Sequence, residues 1–490
     1  MSGFRWPILV LLPALIIAAL LIDGGRPSAE PAPLAEARTA TVVRPNSSAA
    51  ATWFCVAGVI DRDVTAAVTT HSIEIVNVGD QQRLLRIVAY NAETVAGIEP
   101  ESLPLTIDAG QRLTIASELV GSTMVEVDGG GVIVEHVIGN EIGSDSRPCA
   151  STSAARWEFP AGETIQGTHE TIVLFNPFPE DAVAQLAFTA DTGRRIPTKF
   201  EAVVIPSRTY KVYDVSAEIA QAETASASVI VNAGRVIANR VIVKTDRGEG
   251  SGLTAAAGTP TASLVSYLPV AKFAANRPTS ITVYNPTEER AEVDIEIHIG
   301  SDVVIPEFEI PVPALQRQRI DLTAADRMKI LAAGERGYSV VVRSANGVPV
   351  VSELSQLSVG GDAAVEGMST MIGSPVAASR WIVDVPITAG DAGSSLILFN
   401  PSFKTIARVE LQLVDANQNR ILLPEIELGT GGRRAILLSE LGVTSASVLI
   451  LESGSPIVAA REIISLSSIS MSLGIPDAST LAEEADGFGF

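Results

Sequence analysis

The chain has 490 residues, 47% of them hydrophobic and only 5% aromatic, with 35 basic against 56 acidic side chains. A formal net charge of -21 excludes a basic, phosphate-tracking surface and with it a nucleic-acid partner. The two cysteines lack a C-x-x-C spacing and a neighbouring histidine, which excludes the common zinc and redox motifs.

In chain order, the first element is an uncharged run from Trp6 to Ile22, preceded by Arg5 and followed by Asp23. It is at the short end for a membrane span and also fits the apolar part of a signal peptide. Residues 1–24 are therefore expected to be a transmembrane helix with the bulk of the chain extracytoplasmic. The alternative is secretion after cleavage near Ala35-Glu36-Ala37. Residues 25–51, rich in Ala, Pro and Ser, read as a flexible spacer.

From there the sequence repeats itself. Aromatics Trp53, Trp157, Tyr267 and Trp381 precede Asn77, Asn176, Asn285 and Asn400 by 24, 19, 18 and 19 residues. Three of these Asn are followed by Pro and the first by Val78. A later apolar strand ends at His136, Arg240, Glu353 and Arg461, and each segment closes on a Pro-containing stretch near Pro148, Pro260, Pro375 or Pro476. A long period of this kind signals one structural unit used repeatedly. The expected domains are 52–150, 151–262, 263–378 and 379–479, with a disordered acidic tail over 480–490.

Within each unit, period two dominates. In Ala291–Ile299 apolar residues hold every odd position and polar ones every even position, and Val409–Leu413 alternates likewise. Such strands, punctuated by turn signals such as Asp191-Thr192-Gly193 and Ala345-Asn346-Gly347, predict an all-β fold. The fold class expected is four tandem immunoglobulin-like β-sandwich repeats after the transmembrane helix. Helical turns are expected only near Val215–Glu223, Leu322–Ala333 and Leu438–Leu441. The glycine-rich stretches Gly248–Gly252 and Gly360–Asp362 read as hairpin tips.

Each chemistry-bearing residue has a bland reading that outweighs the functional one. The Asn-Pro pairs end strands and begin turns, and Trp157 and Trp381 read as core anchors rather than sugar-stacking platforms. His298 falls on the polar side of an alternating strand and is expected in water. Of the remaining histidines, His71, His136 and His169, His136 shares its position with Arg240, Glu353 and Arg461, which excludes a shared metal or catalytic site. Glu288-Glu289 and Asp61/Asp63 read as solvated turn charges, and Arg433-Arg434 as a solvated turn. Cys55 and Cys149 lie at the two ends of the first unit. Neighbouring end strands would bring them within bonding reach, and two free buried thiols are the alternative. No phosphate loop, HExxH, EF-hand or GxSxG motif is present, and no catalytic, cofactor-binding or metal residue is expected.

The opening Trp157-Glu158-Phe159-Pro160, the strand end Phe175-Asn176-Pro177, the strand ends at Arg240 and Arg461, and Trp53-Phe54-Cys55 resemble a family of uncharacterised actinobacterial envelope proteins, from about Trp53 to Pro476. The resemblance implies an exported, membrane-anchored protein with no established activity to carry over. Together with the absence of residues for a separate catalytic domain, it leads to an expected function as a non-enzymatic scaffold, stalk or adaptor of the cell envelope. Its partner would be an envelope protein, or a glycan if the chain is instead a peptidoglycan-binding module.

Overall fold

The alternating strands pair into antiparallel sheets, and the strand order recurs along the chain. In the computed structural model the described residues are 39–482, apart from 58–67, 91–100, 116–120, 246–249, 273–275, 301–302, 325–336, 360–364, 387–392, 444 and 466–467. The expected membrane span, most of the spacer and the hairpin tips at 248–249 and 360–362 lie outside them. No helix among the described residues is long and apolar enough to cross a membrane. The protein is all-β, and its only described helical turns are the single 3-10 turns Thr198–Phe200 and Ala478–Thr480. Val215–Glu223 and Leu438–Leu441 form non-helical turns, and 325–333 of the third expected helical stretch lies outside the description.

The first set of strands is β1 (Ala51–Cys55), β2 (Thr70–Asn77), β3 (Arg83–Tyr90), β4 (Glu101–Ile107), β5 (Arg112–Ile115), β6 (Ser122–Val127), β7 (Val132–Gly139) and β8 (Ser144–Pro148). They form two sheets in the orders β1-β6-β3-β4 and β5-β2-β7-β8. The strands from Arg156–Phe159 to Gly252–Ala257, and those from Val265–Lys272 to Gly367–Ile372, follow the same two orders, with the β4 counterpart of the second set split in two. In the fourth set one long strand, Ser447–Ile464, serves as the counterpart of β6 and then of β7, and so runs from one sheet into the other.

Apolar faces of the paired sheets meet over Trp53, Trp157 and Trp381 in three of the sets, with Trp157 and Trp381 buried as expected of core anchors; in the third set Leu268 is in the core, and the buried Tyr267 beside it packs with the fourth set. Burying about 200 Å² of such a ring contributes on the order of 5 kcal/mol as an upper figure. Trp157 donates its indole N–H to the Val236 carbonyl at 3.0 Å and Trp381 to that of Ile457 at 2.8 Å, whereas the buried Trp53 indole N–H has no partner among the described residues.

The four Asn at the strand ends are fully buried and make the same bonds in each set. The Asn176 side-chain oxygen accepts from Phe178 N at 3.1 Å, while its Nδ2 donates to the Glu180 carbonyl at 2.8 Å and that of Ile205 at 3.0 Å. Asn77, Asn285 and Asn400 repeat this arrangement, each within its own set. The side chain thus replaces backbone partners that the turn cannot supply.

Successive sets pack against one another, and the fourth packs against the first. Phe54 and Tyr90 meet Phe175 across the first seam, and Tyr267 and His298 meet Phe399 across the third. Ile382, Val414, Val448 and Ile450 of the fourth set share a core with Ile75, Ile87 and Val134 of the first. Units strung end to end are incompatible with this closure. The incoming chain seals it: Val43 N donates to the Pro476 carbonyl at 3.0 Å, and Ala478 N to that of Val43 at 3.0 Å. Residues 39–51, expected within the spacer, therefore belong to the body because Val42 and Val43 bury apolar side chains there. Likewise Leu481–Ala482, expected in the tail, pairs with Ala377–Ala378.

Candidate functional site

Closure brings the four last strands of the sets together: β8, Gly252–Ala257, Gly367–Ile372 and Ile469–Leu473. Arg147 on β8 reaches all the others. Its Nε donates to Asp145 at 2.9 Å; its terminal nitrogens donate to the Met471 carbonyl, Thr254 Oγ1 at 3.2 Å, Ser369 Oγ at 3.1 Å and the Thr370 carbonyl at 2.7 Å. Asp145 in turn accepts from Ala255 N at 2.8 Å, Thr254 Oγ1 at 3.0 Å and Ser470 Oγ at 2.6 Å. A buried charge is tolerable only when paired and hydrogen-bonded in this way. Beyond Arg147 the strand ends open into a cavity of about 110 Å³, lined by Pro148, Gly258, Gly373, Gly474, Trp381 and the incoming Thr39–Thr41. These are the Pro-containing closing stretches of the sequence, gathered around one axis.

Buried Arg–Glu pairs span three of the seams, and Arg277 of the third set meets Glu462 of the fourth at 2.7 Å. Arg240 of the second set grips Glu353 of the third through both terminal nitrogens, one at 3.1 Å. Arg461 of the fourth set grips Glu135 of the first in the same way, with one contact at 3.0 Å. Strand register places Glu135 opposite Glu74, and Glu353 opposite Thr282, each three residues before its Asn; Arg240 and Arg461 lie one position further on. Glu353 therefore corresponds to Glu135, and the sequence alignment of Glu353 with Arg240 was off by one. The counterparts of His136 are Arg240, Leu354 and Arg461.

Further charges work at the seams. Arg112 on β5 reaches Asp384 of the fourth set, with one contact at 3.2 Å, and its counterpart Arg317 reaches Asp191 of the second. Arg433 occupies the same strand position, donates to the Pro269 carbonyl at 3.3 Å, and is drawn down to about 10 by burial, which leaves it charged at neutral pH. It is not the solvated turn residue expected, although Arg434 beside it is exposed. His298 is buried rather than solvated: Nδ1 meets the Gly431 carbonyl at 3.1 Å, Nε2 meets Glu296 at 3.2 Å, and the ring packs on Phe399 and Phe403. The polar face of Ala291–Ile299 turns to water at one end and to the neighbouring set at the other.

Other buried groups stay within one set or seam. Burial, with His71 and Arg147 nearby, pushes the His136 imidazole down to about 3, so it is neutral. Glu170 accepts from Glu163 N at 2.9 Å, and burial raises its carboxyl to about 8, with Arg240 opposing the rise. His169 is half-buried and lies 3.9 Å from Asp214. Glu288 and Glu289 are exposed, while Asp61 and Asp63 lie outside the described residues. Cys55 and Cys149 form a disulfide, resolving the alternatives left open by the sequence. Among the described residues no cluster of three or more His, Cys, Asp or Glu side chains is placed to hold a metal. The one sequence signal for the seam charges is an ionisable residue inside an otherwise apolar strand, as in Val132–Gly139 and Ile237–Lys244.

The model of a family described as "Family of unknown function (DUF5719)" matches residues 132–267 and 238–468, more than half of the chain. The chain belongs to that family. No curated protein matches it. Among solved structures, it is similar to Thermotoga maritima 1070 at 19% identity, over 23% of this chain and 95% of that one, with a TM-score of 0.20. Anabaena sensory rhodopsin transducer is similar at 16% identity over 19% of this chain and 94% of its own, with a TM-score of 0.16. A tetra-tandem repeat in the extending region of a large adhesion protein is similar at 12% identity, over 88% and 100% respectively, with a TM-score of 0.10. Likenesses this faint say nothing about activity.

Proposed function

We propose that this family member is a non-enzymatic scaffold or adaptor of an actinobacterial cell envelope, acting through protein–protein contact. In this reading residues 6–22 anchor it to the membrane with the bulk extracytoplasmic. The body comprises four immunoglobulin-like sandwiches at 52–150, 151–262, 263–378 and 379–479. The disulfide is in keeping with export.

One observation carries the proposal. The ionisable groups best suited to chemistry (Arg147, Asp145, Glu135, Arg461, Arg240 and Glu353) are paired with one another in the interior and hold the ring closed. What remains for function is the outer surface of the sheets, including exposed apolar side chains such as Leu422 and Ile406. A closed ring favours an adaptor over an extended stalk.

In-cell crosslinking of the full chain, followed by mass spectrometry, tests this. Crosslinks to one envelope protein, mapped to outer strands such as Arg420–Leu428, are expected. Retention on purified cell-wall polymer without protein crosslinks would favour the glycan-binding alternative. Hydrolase or transferase activity of the purified chain would sink both.

A further inference from the structure

One strand position carries an arginine in three of the sets. Arg112, Arg317 and Arg433 stand opposite Val76, Tyr284 and Phe399, each the residue just before its Asn. At two of the seams the neighbouring set answers with a carboxylate. Arg112 meets Asp384, with one contact at 3.2 Å, and donates to the Ser447 carbonyl at 3.1 Å. Arg317 meets Asp191 and donates to the Thr224 carbonyl at 2.7 Å. At the seam between the third and fourth sets no carboxylate of a described residue reaches Arg433. Tyr267 pairs with Ser374 as Ile382 pairs with Ile475, so the register counterpart of Asp384 is Pro269. Its carbonyl takes only the Arg433 Nε, at 3.3 Å.

The two terminal nitrogens of Arg433 make no hydrogen bond or ion pair with a described residue. They lie against Gly337, where a Cβ would come within 2.6 Å of both. Lys272 stands directly across the ladder from Gly337, so its side chain leaves on the same face. Its ammonium likewise has no partner among the described residues. Glu462 is the carboxylate whose charge acts on Arg433, and Arg277 already holds it at 2.7 Å. A half-buried guanidinium without a counter-charge is costly, and its free fork matches the two oxygens of a carboxylate. Ala435 and Leu437, both exposed, continue the face of Arg433 along its strand and form an apolar shelf beside the fork.

We infer that this seam binds a small aliphatic carboxylate, its oxygens on the Arg433 fork beside Lys272 and its alkyl chain along Ala435 and Leu437. The ligand takes the place that Asp384 and Asp191 hold at the other seams. The inference goes beyond the adaptor proposal and does not depend on it.

The test is calorimetric titration of the full chain with butyrate and hexanoate, and with inorganic phosphate and sulfate, at one ionic strength. At least one of the two carboxylates is expected to bind, and to bind more tightly than either inorganic anion. Arg433→Gln should abolish that binding, and Lys272→Ala should weaken it about threefold to tenfold. Arg434→Ala, on the opposite face of the same strand, should leave it unchanged. If Arg433→Gln does not fold, Arg433→Lys takes its place, since it keeps the charge and loses the fork, and Lys272→Ala decides if neither folds. The inference is overturned if neither carboxylate binds, if phosphate or sulfate binds as tightly, or if the folded variants at 433 and 272 bind as the wild type does.

Discussion

Replacing Arg461 by Leu removes the guanidinium that holds the seam between the fourth and first sets. Arg461 makes two contacts to Glu135, one at 3.0 Å, and also donates to the Asp384 carbonyl and to Ser146 Oγ at 3.1 Å. Without it, the buried Glu135 carboxylate keeps only the Ser146 hydroxyl at 3.4 Å. Leaving one member of a buried pair uncompensated costs about 3–5 kcal/mol. If the body Ala35–Phe490 unfolds as one cooperative unit, an unfolding entropy of about 2.1 cal/mol/K per residue makes this a fall of about 3–5 °C in Tm. The double variant Glu135→Leu/Arg461→Leu removes both charges and should recover most of the loss. Arg86→Leu, which breaks an exposed pair with Glu126, should stay within about 1 kcal/mol of wild type. Urea unfolding of all four proteins is the assay. A single Arg461→Leu variant within about 1 kcal/mol of wild type, or a double variant no more stable than the single, would refute the seam argument.

Three further outcomes are expected. Asn176→Ala removes three hydrogen bonds of a fully buried side chain and should cost about 2–4 kcal/mol in the same assay; a loss below about 1 kcal/mol would count against its role at the strand end. Glu170 has a folded-state carboxyl near 8, above its unfolded value, so the folded chain holds a proton that the unfolded chain releases as pH rises. Its stabilising contribution is full below the unfolded value and is lost as pH climbs to about 8. Glu170→Gln should therefore match wild type near pH 4 and exceed it at pH 9, and equal stability at both would contradict the assignment. Cys55→Ser/Cys149→Ser opens a bridge between residues 94 apart and should lower stability by about 4–5 kcal/mol in the chain-entropy model, read as a shifted denaturation midpoint.

What the sequence made legible was local chemistry. Asn176 and its counterparts announce a turn because their amide bonds to the next few backbone groups, and Trp157 announces a core because its size leaves few other places for it. The ring was not legible, because closure depends on contacts between residues hundreds of positions apart. Period two marks one face of a strand as polar, but it does not say whether that face meets water or another sheet. His298 looks solvated for that reason and is not, while Arg433, read from sequence as a turn residue, is half-buried at the start of a strand. The off-by-one placement of Glu353 has a related origin. Charge at a strand's end drew the alignment, whereas hydrogen-bonded register follows the buried Asn. The charges inside apolar strands were the missed clue, since an ion there needs a partner, and here the partner comes from the next set.

The bridge between Val43 and Asp477 places the first and last described stretches of the body side by side. Topologically, such a body is a circle cut at one arbitrary place. Stitching Ala482 back to Thr39 and reopening the chain between sets, near Ser263, would leave every seam intact. The place of the cut is then not what holds the body together.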